Sequence, residues 1–270
     1  MRIALGIEYD GSRFHGWQSQ RGVRTVQQAL ERALAKVADQ PVTVHCAGRT
    51  DTGVHARGQV VHFDTTAVRE PRAWVLGGNV HLPDDVAVLW AREVPAEFHA
   101  RYRAIERSYR YVILNRKARP ALEHGQVTWE YRPLEVAPMR EAARHLLGEH
   151  DFSAFRAKEC QARHAVREVR RLEVSRLGEY VILEVTANAF LMHMVRNFAG
   201  VLMAIGMGKA PPDWARDVLE GRDRTLGGVT APAQGLTLVS VRYPERYGLP
   251  GSASWPLPAD RSRVPSPVVS

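Results

Sequence analysis

The chain has 270 residues, 45% hydrophobic and 24% charged, which is typical of a globular protein with one or two domains. Its net charge of +8 and pI near 9.9 favour a polyanion or an anionic membrane surface as partner. The longest apolar run, 198–207, is shorter than the roughly 20 residues of a membrane-spanning helix, and Glu8 and Asp10 interrupt any N-terminal signal peptide. The cysteines, Cys46 and Cys160, predict free thiols in a reducing compartment, so we expect a cytoplasmic protein without membrane contact.

The first 95 residues change their hydrophobic period from one predicted element to the next. Apolar residues alternate over 3–9, as in a strand with one buried face. From Thr25 the spacing is that of an amphipathic helix, and Thr25 with Gln28 fits a capping box. The elements that follow are strands at 42–46 and 59–63, a weaker helix after Pro71, and a strand at 86–90. This order is that of the split βαβ, or ferredoxin-like, motif.

The second part of the chain repeats this order of elements. The predicted elements are a strand around 109–113, a helix from Pro138 ended by Gly148, strands at 166–174 and 180–185, a long helix from Phe190, a short helix at 214–219 and a strand at 236–243. We therefore predict an α+β fold with two pseudo-duplicated βαββαβ halves, ferredoxin-like or RRM-like, whose antiparallel sheets join around a central basic cleft. The predicted boundaries are 1–105 for the N-terminal half, 106–248 for the C-terminal half, and 249–270 for a flexible Pro/Ser-rich tail.

Basic residues form two clusters, one within 101–119 and one within 156–171, and the first is interleaved with tyrosines. Charge runs are usually solvated surface, but arginine beside tyrosine offers phosphate contacts next to rings that stack on unpaired bases. Together with the net charge, this pattern predicts RNA or DNA binding. The residues that we predict to contact the nucleic acid are Arg101, Arg107, Arg110, Tyr111, Arg156, Lys158 and Arg163.

Several kinds of chemistry have no motif in this chain. His-Glu-x-x-His and Cys-x-x-Cys are absent, and His45, Cys46 and His55 lack a recognised ligand spacing, so no metal site is expected. No glycine pair is followed by the Lys-Ser/Thr of a phosphate-binding loop, and Gly-x-Ser-x-Gly is absent as well. The remaining candidate is a carboxylate.

Asp51 lies in a polar, glycine-punctuated stretch, Gly48 to Ala56, that is typical of a loop or strand end. A turn with a capped backbone would explain its composition. An aspartate is also ionised at neutral pH and acts as a nucleophile without a base. If the stretch is extended, Arg49 and Asp51 share a face and can form an ion pair, which is alternatively a purely structural salt bridge.

The stretch Gly48 to Ala56 resembles the signature of the tRNA pseudouridine synthase A family. Further matches follow in order along both halves: Gly6 to Gly11, Gly16 to Gln18, Phe98 to Arg101, Tyr109 to Tyr111, Asp151-Phe152, Met194 to Asn197 and Gly235-Leu236. The departures are Thr52, where alanine is usual, Met192, where a larger polar or aromatic residue is frequent, and Gln234, where glutamate is often found. None of them is at a position matched to the chemistry.

The resemblance implies a cofactor-independent isomerase that converts uridine to pseudouridine at positions 38, 39 and 40 of the tRNA anticodon stem-loop. It implies that Asp51 is the nucleophile, Arg49 its ion-pair partner, and Tyr109 a ring that stacks on the target base and takes part in proton removal from C5. Arg196 would contribute from the second half, which places the site in a cleft between the halves of each subunit of a homodimer.

Two alternatives remain open beside this hypothesis. One is a non-catalytic tandem RRM-like RNA-binding protein, and the other is a pseudouridine synthase that acts on a different RNA. The sequence also leaves open whether Asp51 attacks C1′ of the ribose or C6 of the base.

Overall fold

The computed structural model describes residues 1–250, so the predicted tail lies outside the described residues from 251 onward. The described strands form one ten-stranded sheet. They are β1 (Arg2–Tyr9), β2 (His45–Cys46), β3 (His55–Asp64), β4 (Val86–Val94), β5 (Glu106–Asn115), β6 (Thr128–Glu130), β7 (Gly148–Asp151), β8 (Val166–Leu177), β9 (Tyr180–Ala187) and β10 (Leu236–Arg242). The α-helices are α1 (Val26–Ala38), α2 (Pro71–His81), α3 (Val136–Arg144), α4 (Met194–Gly206) and α5 (Trp214–Gly221).

The first half contains the six predicted elements in the predicted order. Its strands are antiparallel and lie in the order β4-β1-β3-β2. Thr25 caps α1 by accepting a hydrogen bond from the Gln28 backbone N–H at 3.5 Å, which confirms the predicted start of this helix. β2 is shorter than predicted, whereas β3 begins at His55, inside the polar stretch that ends at Ala56.

The second half adds two short strands to the predicted elements. Its main strands lie in the order β10-β5-β9-β8, with β7 beside β8 and β6 paired to β5. β6 and β7 have three and four residues, too few for a recognisable period. α3 begins two residues before the predicted Pro138, and α4 begins at Met194 rather than near Phe190. The pseudo-duplication and the boundary at 105/106 stay predictions.

β10 joins the two halves, because it lies between β3 and β5. It is antiparallel to β5 and parallel to β3, where Thr237 pairs with His55 and Leu238 with Ala56. The predicted pair of antiparallel sheets is therefore one sheet with a parallel junction. At this junction a Cβ on Gly58 would collide with the Val239 carbonyl oxygen, so a glycine is required for the close approach.

Both faces of β1 are buried, although its alternating sequence predicts one buried face. Ile3 and Leu5 belong to the large core that contains the apolar sides of the helices. Ala4 points to the other face, where it packs in a smaller cluster with Phe98 and Tyr243 from near the ends of the two halves. Within residues 1–250 none of the helices combines the length and the apolar character needed to traverse a lipid bilayer.

We expect Glu106 to make the folded state sensitive to acid. Its carboxylate accepts hydrogen bonds from Arg242 of β10 at 2.7 Å and from Arg170 of β8 at 2.9 Å. Arg242, and then Arg170, lower the pKa of Glu106 to about 2 from an ordinary 4.5. A carboxyl group with a depressed folded-state pKa stabilises the fold above the unfolded pKa and loses this contribution as the pH falls towards 2.

Glu106→Gln should therefore lower the free energy of unfolding by about 2 kcal/mol at pH 7, with the difference shrinking as the pH falls below the unfolded pKa and disappearing below the folded pKa of about 2. Urea denaturation of both proteins across this pH range measures the effect. Glu179→Gln is the control, because Glu179 forms an exposed ion pair with Arg116 that should contribute under about 0.5 kcal/mol. A constant difference between Glu106→Gln and the parent at every pH would contradict the linkage.

Candidate active site

The polar stretch between β2 and β3 contains a tight turn that begins at Asp51. The Val54 backbone N–H donates to the Asp51 carbonyl oxygen at 3.1 Å, and Gly53 has a φ of +80°. A positive φ at the third residue is the requirement of a type II turn, which glycine meets without strain. The predicted turn is confirmed, but the Asp51 carboxylate accepts no hydrogen bond from a described backbone N–H. It is therefore not a turn cap.

Buried side chains and backbone groups hold this loop on the side that precedes Asp51. The Gln59 side chain donates to the Gly48 carbonyl oxygen at 2.6 Å and accepts from the Gly48 N–H at 3.3 Å. The Trp17 N–H donates to the Thr50 carbonyl oxygen at 2.9 Å. Because Gln59 and Trp17 are themselves buried, the position of the Asp51 backbone is fixed by the core.

The Asp51 carboxylate faces the first turn of α4 in the other half. Its Oδ2 lies 3.4 Å from a terminal nitrogen of Arg196 and 3.3 Å from Nε2 of His193. Arg196 is in turn held by a hydrogen bond from its Nε to the Ala231 carbonyl oxygen at 2.9 Å. The Asp51 side chain remains 25% exposed, so a substrate can reach the carboxylate while Arg196 and His193 orient it.

His193 is a site residue that the sequence analysis missed. It is the N-cap of α4 and has a φ of +63°, in the left-handed region. This conformation costs a histidine about 1–2 kcal/mol, and such strain is concentrated at functional sites. The available signal was its position directly before the matched segment Met194 to Asn197, but nothing in the sequence predicted contact with Asp51.

Arg49 does not form the ion pair with Asp51 that was expected for an extended segment. Its side chain is exposed and makes no ion pair within 4 Å among the described residues. Since Asp51 begins a turn, the rule that alternate residues share a face does not apply. Arg196 pairs with the carboxylate instead, and Arg49 lines the cavity in front of it.

Tyr109 of β5 forms part of the wall of the same cavity. Its ring packs edge-on against Phe190, with ring centroids 5.0 Å apart. A Cβ placed on Gly48 would lie 3.6 Å from the Tyr109 hydroxyl, so this hydroxyl is close to the loop that carries Asp51. Burial, and to a smaller extent the charge of Asp51, raises the pKa of the Tyr109 phenol, which is therefore neutral at pH 7.

The cavity in front of Asp51 has a volume of about 1230 Å³ and is lined by both halves of the chain. Its first-half wall includes the loop 47–52, and its second-half wall includes 189–196. The lining is predominantly basic: it contains Arg49, Arg101, Arg107, Arg167 and Arg196 against the acidic residues Asp51 and Glu159. Such a concave basic surface attracts polyanions.

Of the predicted substrate contacts, Arg101 and Arg107 line the cavity. Arg101 is exposed and is available to a ligand. Arg107 is buried, and its guanidinium donates to the carbonyl oxygens of Ala47, Arg101 and Asn188 at 2.7–3.0 Å. Burial lowers its pKa. Arg107 therefore ties three wall segments together.

The other predicted contacts do not line the cavity. Arg110 pairs with Glu184 at 2.6 Å, and Tyr111 is completely buried, with its hydroxyl bonded to Thr128 and to the Pro232 carbonyl oxygen. Alternation places Tyr109 and Tyr111 on one face of β5, but only tertiary packing decides which of them reaches a cavity. Arg156, Lys158 and Arg163 flank the lining residues 159–162, and a contact of these three with RNA stays a prediction.

His55 of the signature has a structural role. Its Nδ1 lies 3.1 Å from the Gly11 backbone nitrogen and 3.1 Å from Oδ1 of Asp10, and its Nε2 lies 2.9 Å from the Gly125 carbonyl oxygen, so the ring connects three segments of the fold. Across residues 1–250, no group of three or more His, Cys, Asp and Glu side chains is arranged to hold a metal ion. Cys46 and Cys160 are free thiols, as predicted.

Comparison with known proteins gives consistent matches. The family model described as tRNA pseudouridine synthase matches residues 6–103 and 142–244. Proteins named tRNA pseudouridine synthase A are 61% identical in Nitrosococcus oceani, over 93% of this chain and 96% of the relative, and 59% identical in Alcanivorax borkumensis, over 95% and 96%. The crystal structure of a Cbf5-Nop10-Gar1 complex has a TM-score of 0.34 and 11% identity over 74% of this chain and 45% of that chain, too low to define a shared fold.

Proposed function

This chain belongs to the tRNA pseudouridine synthase A family and isomerises uridine to pseudouridine in tRNA, and we propose that Asp51 is the nucleophile of this reaction. The observation that carries the proposal is the carboxylate itself: it is accessible, it caps no backbone group, and Arg196 and His193 orient it at the floor of a basic cavity. An accessible carboxylate that is oriented from a second part of the chain, in a concave basic site, fits the role of a nucleophile.

The reaction begins with a uridine that leaves the base stack, at a cost of a few kcal/mol that stacking and phosphate contacts offset. Asp51 then attacks either C1′ of the ribose or C6 of the base, and the N1–C1′ glycosidic bond breaks. The uracil turns, C5 forms a bond to C1′, and the bond between Asp51 and C1′ or C6 breaks, which returns the carboxylate. C5 loses its proton, and N1 gains one. Because substrate and product are isomers, the balance requires no oxidant or reductant.

Tyr109 has a position and a protonation state that favour stacking on the detached base. Its ring forms a wall of the cavity and is held in place by Phe190. With a raised pKa, the phenol at neutral pH donates a proton more readily than it accepts one. We therefore assign to Tyr109 the retention of the uracil while it turns, and removal of the C5 proton by Tyr109 would require the phenolate.

We further propose that the substrate uridines are those at positions 38, 39 and 40 of the anticodon stem-loop. The basic lining, with the exposed Arg49 in front of Asp51, supports contacts to the phosphates that flank a flipped nucleotide. The test is to treat unmodified tRNA transcripts with the protein and to map pseudouridine by carbodiimide adducts and primer extension. Stops confined to these positions are expected, and stops only elsewhere in the tRNA would contradict the assignment.

We also propose that the protein is a homodimer in the cytoplasm. Its assembly can be measured by sedimentation equilibrium, in which a twofold subunit mass at micromolar concentration is expected. A monomer mass throughout this range would contradict the dimer without affecting the catalytic assignment.

A further inference from the structure

Four aromatic rings form a continuous cluster that extends to the rim of the cavity, here called the rim stack: His45, His62, His99 and Tyr102. The ring centroids of His45 and His62 are 5.1 Å apart, those of His62 and His99 4.6 Å, and those of His99 and Tyr102 4.3 Å. His45, His99 and Tyr102 line the same cavity as Asp51, whereas His62 is buried beneath them. The catalytic proposal gives none of these rings a role.

The rim stack is held in a fixed geometry by the backbone around it. The His99 Nδ1 accepts from the Arg101 N–H at 3.1 Å, and the His62 Nδ1 accepts from the Ala100 N–H at 3.2 Å. Arg107 donates to the Arg101 carbonyl oxygen at 2.7 Å. Burial lowers the pKa of His62 to about 4 and also lowers that of His99, so that both rings are neutral aromatic surfaces at pH 7.

The outermost ring of the stack is exposed. Tyr102 is 73% accessible to solvent, its ring packs against that of His99, and the Arg101 guanidinium lies 5.7 Å from its ring centroid. Single exposed rings are common on protein surfaces, but Tyr102 differs from them in lining a basic cavity. A ring beside an arginine at a basic cavity is the arrangement that proteins use to bind an unpaired base by stacking and its phosphate by charge.

The size of the cavity also points to more than one nucleotide. Its volume of about 1230 Å³ exceeds the roughly 300–1,000 Å³ of pockets that take one small molecule. The lining of this one cavity includes both Asp51 and Tyr102. A base that neighbours the target loses its own stacking partner when the target flips, and so becomes available for a ring at the rim.

We propose that Tyr102, supported by His99 and His62, is a second base-binding site that stacks on an unpaired nucleobase of the RNA next to the flipped uridine, with Arg101 on its phosphate. This site rests on the proposed function, because its ligand is the substrate tRNA. It positions the RNA and takes no part in bond breaking. The ligand class is an unpaired nucleotide, without preference for one base, since every base offers a flat face.

The test compares Tyr102→Leu and Tyr102→Trp, both in an Asp51→Asn background in which the tRNA stays unmodified during the measurement. The dissociation constant for an unmodified tRNA transcript should rise about 10-fold in Tyr102→Leu and stay within about 2-fold in Tyr102→Trp, which keeps a stacking ring. The dependence of binding on salt should be unchanged in Tyr102→Leu, because no charge is lost. Arg101→Gln should reduce the slope of log affinity against log salt concentration by about one, because one phosphate contact is lost.

Tyr131→Leu is the matched control, because Tyr131 is 51% exposed and also lies beside an arginine, Arg132, but does not line the cavity. Its binding should equal that of the parent. The contacted base can be found with transcripts that carry single abasic sites. At one position, the loss of binding free energy caused by the abasic site and the loss caused by Tyr102→Leu should not be additive. Equal weakening by Tyr131→Leu, or full additivity at every position, would overturn the second site.

The two proposals fail in distinguishable ways. Normal tRNA binding by Tyr102→Leu, together with an Asp51→Asn variant that makes no pseudouridine, would reject the second site and keep the catalytic assignment. Pseudouridine formation by Asp51→Asn at the parental rate, together with a 10-fold binding loss in Tyr102→Leu, would reject Asp51 as the nucleophile and keep the stacking site.

Discussion

Asp51→Asn should abolish pseudouridine formation, with at least about a 10³-fold loss of rate under single-turnover conditions. Asparagine has nearly the same shape but is neutral and far less nucleophilic. The affinity for tRNA should stay the same or increase, because the substitution removes a negative charge from a basic cavity. Rate and affinity are measured separately, by pseudouridine mapping over time and by filter binding.

Asp84→Asn provides the matched control for this result. Asp84 is exposed in the first half and does not line the cavity, so the same charge is removed at a distance from the chemistry. Its rate should be that of the parent. Product formed by Asp51→Asn at the parental rate would refute the nucleophile assignment, whatever the tRNA affinity.

Arg196→Gln should lower the rate about 10²-fold, because a carboxylate that has lost its charged hydrogen-bond donor is no longer held towards the substrate. Arg196 pairs with Asp51 and also donates to the Ala231 carbonyl oxygen, so the substitution removes two contacts. Arg196→Lys keeps the positive charge but loses the planar guanidinium group with its fixed hydrogen-bond donors, so an intermediate rate is expected. The measurement is the single-turnover rate at saturating protein.

Arg224→Gln separates the two contacts of Arg196. Arg224 donates to the carbonyl oxygen of Gly228 and to the Thr230 hydroxyl, so it supports the same loop without contacting Asp51. Its thermal midpoint should fall by a few degrees, as in Arg196→Gln, while its rate stays within about threefold of the parent. An equal loss of rate in both variants would show that the loop, and not the ion pair, is what activity requires.

The structure brings some of the predicted site residues together and separates others, and the differences have physical causes. Asp51, Tyr109 and Arg196 were matched to the site individually, and all three line one cavity. The Arg49 ion pair was not found because a turn replaced an extended segment. His193 was missed because its left-handed backbone has no sequence signal in a histidine.

The sequence by itself determined the local elements of this protein. Hydrophobic periods and the Thr25 cap predicted the order of most strands and helices, because side-chain alternation and helix capping depend on neighbours in the chain. Net charge predicted a polyanionic partner, and the signature predicted the family.

The tertiary structure alone decided how these elements combine into a site. Asp51 and Arg196 are 145 positions apart, and they meet because β10 pairs in parallel with the end of the signature at His55 and Ala56. Neither half carries a local pattern for this register. It is set by the packing of β10 between two strands from different halves, and the same packing decides that Tyr109 faces a cavity while Tyr111 is buried.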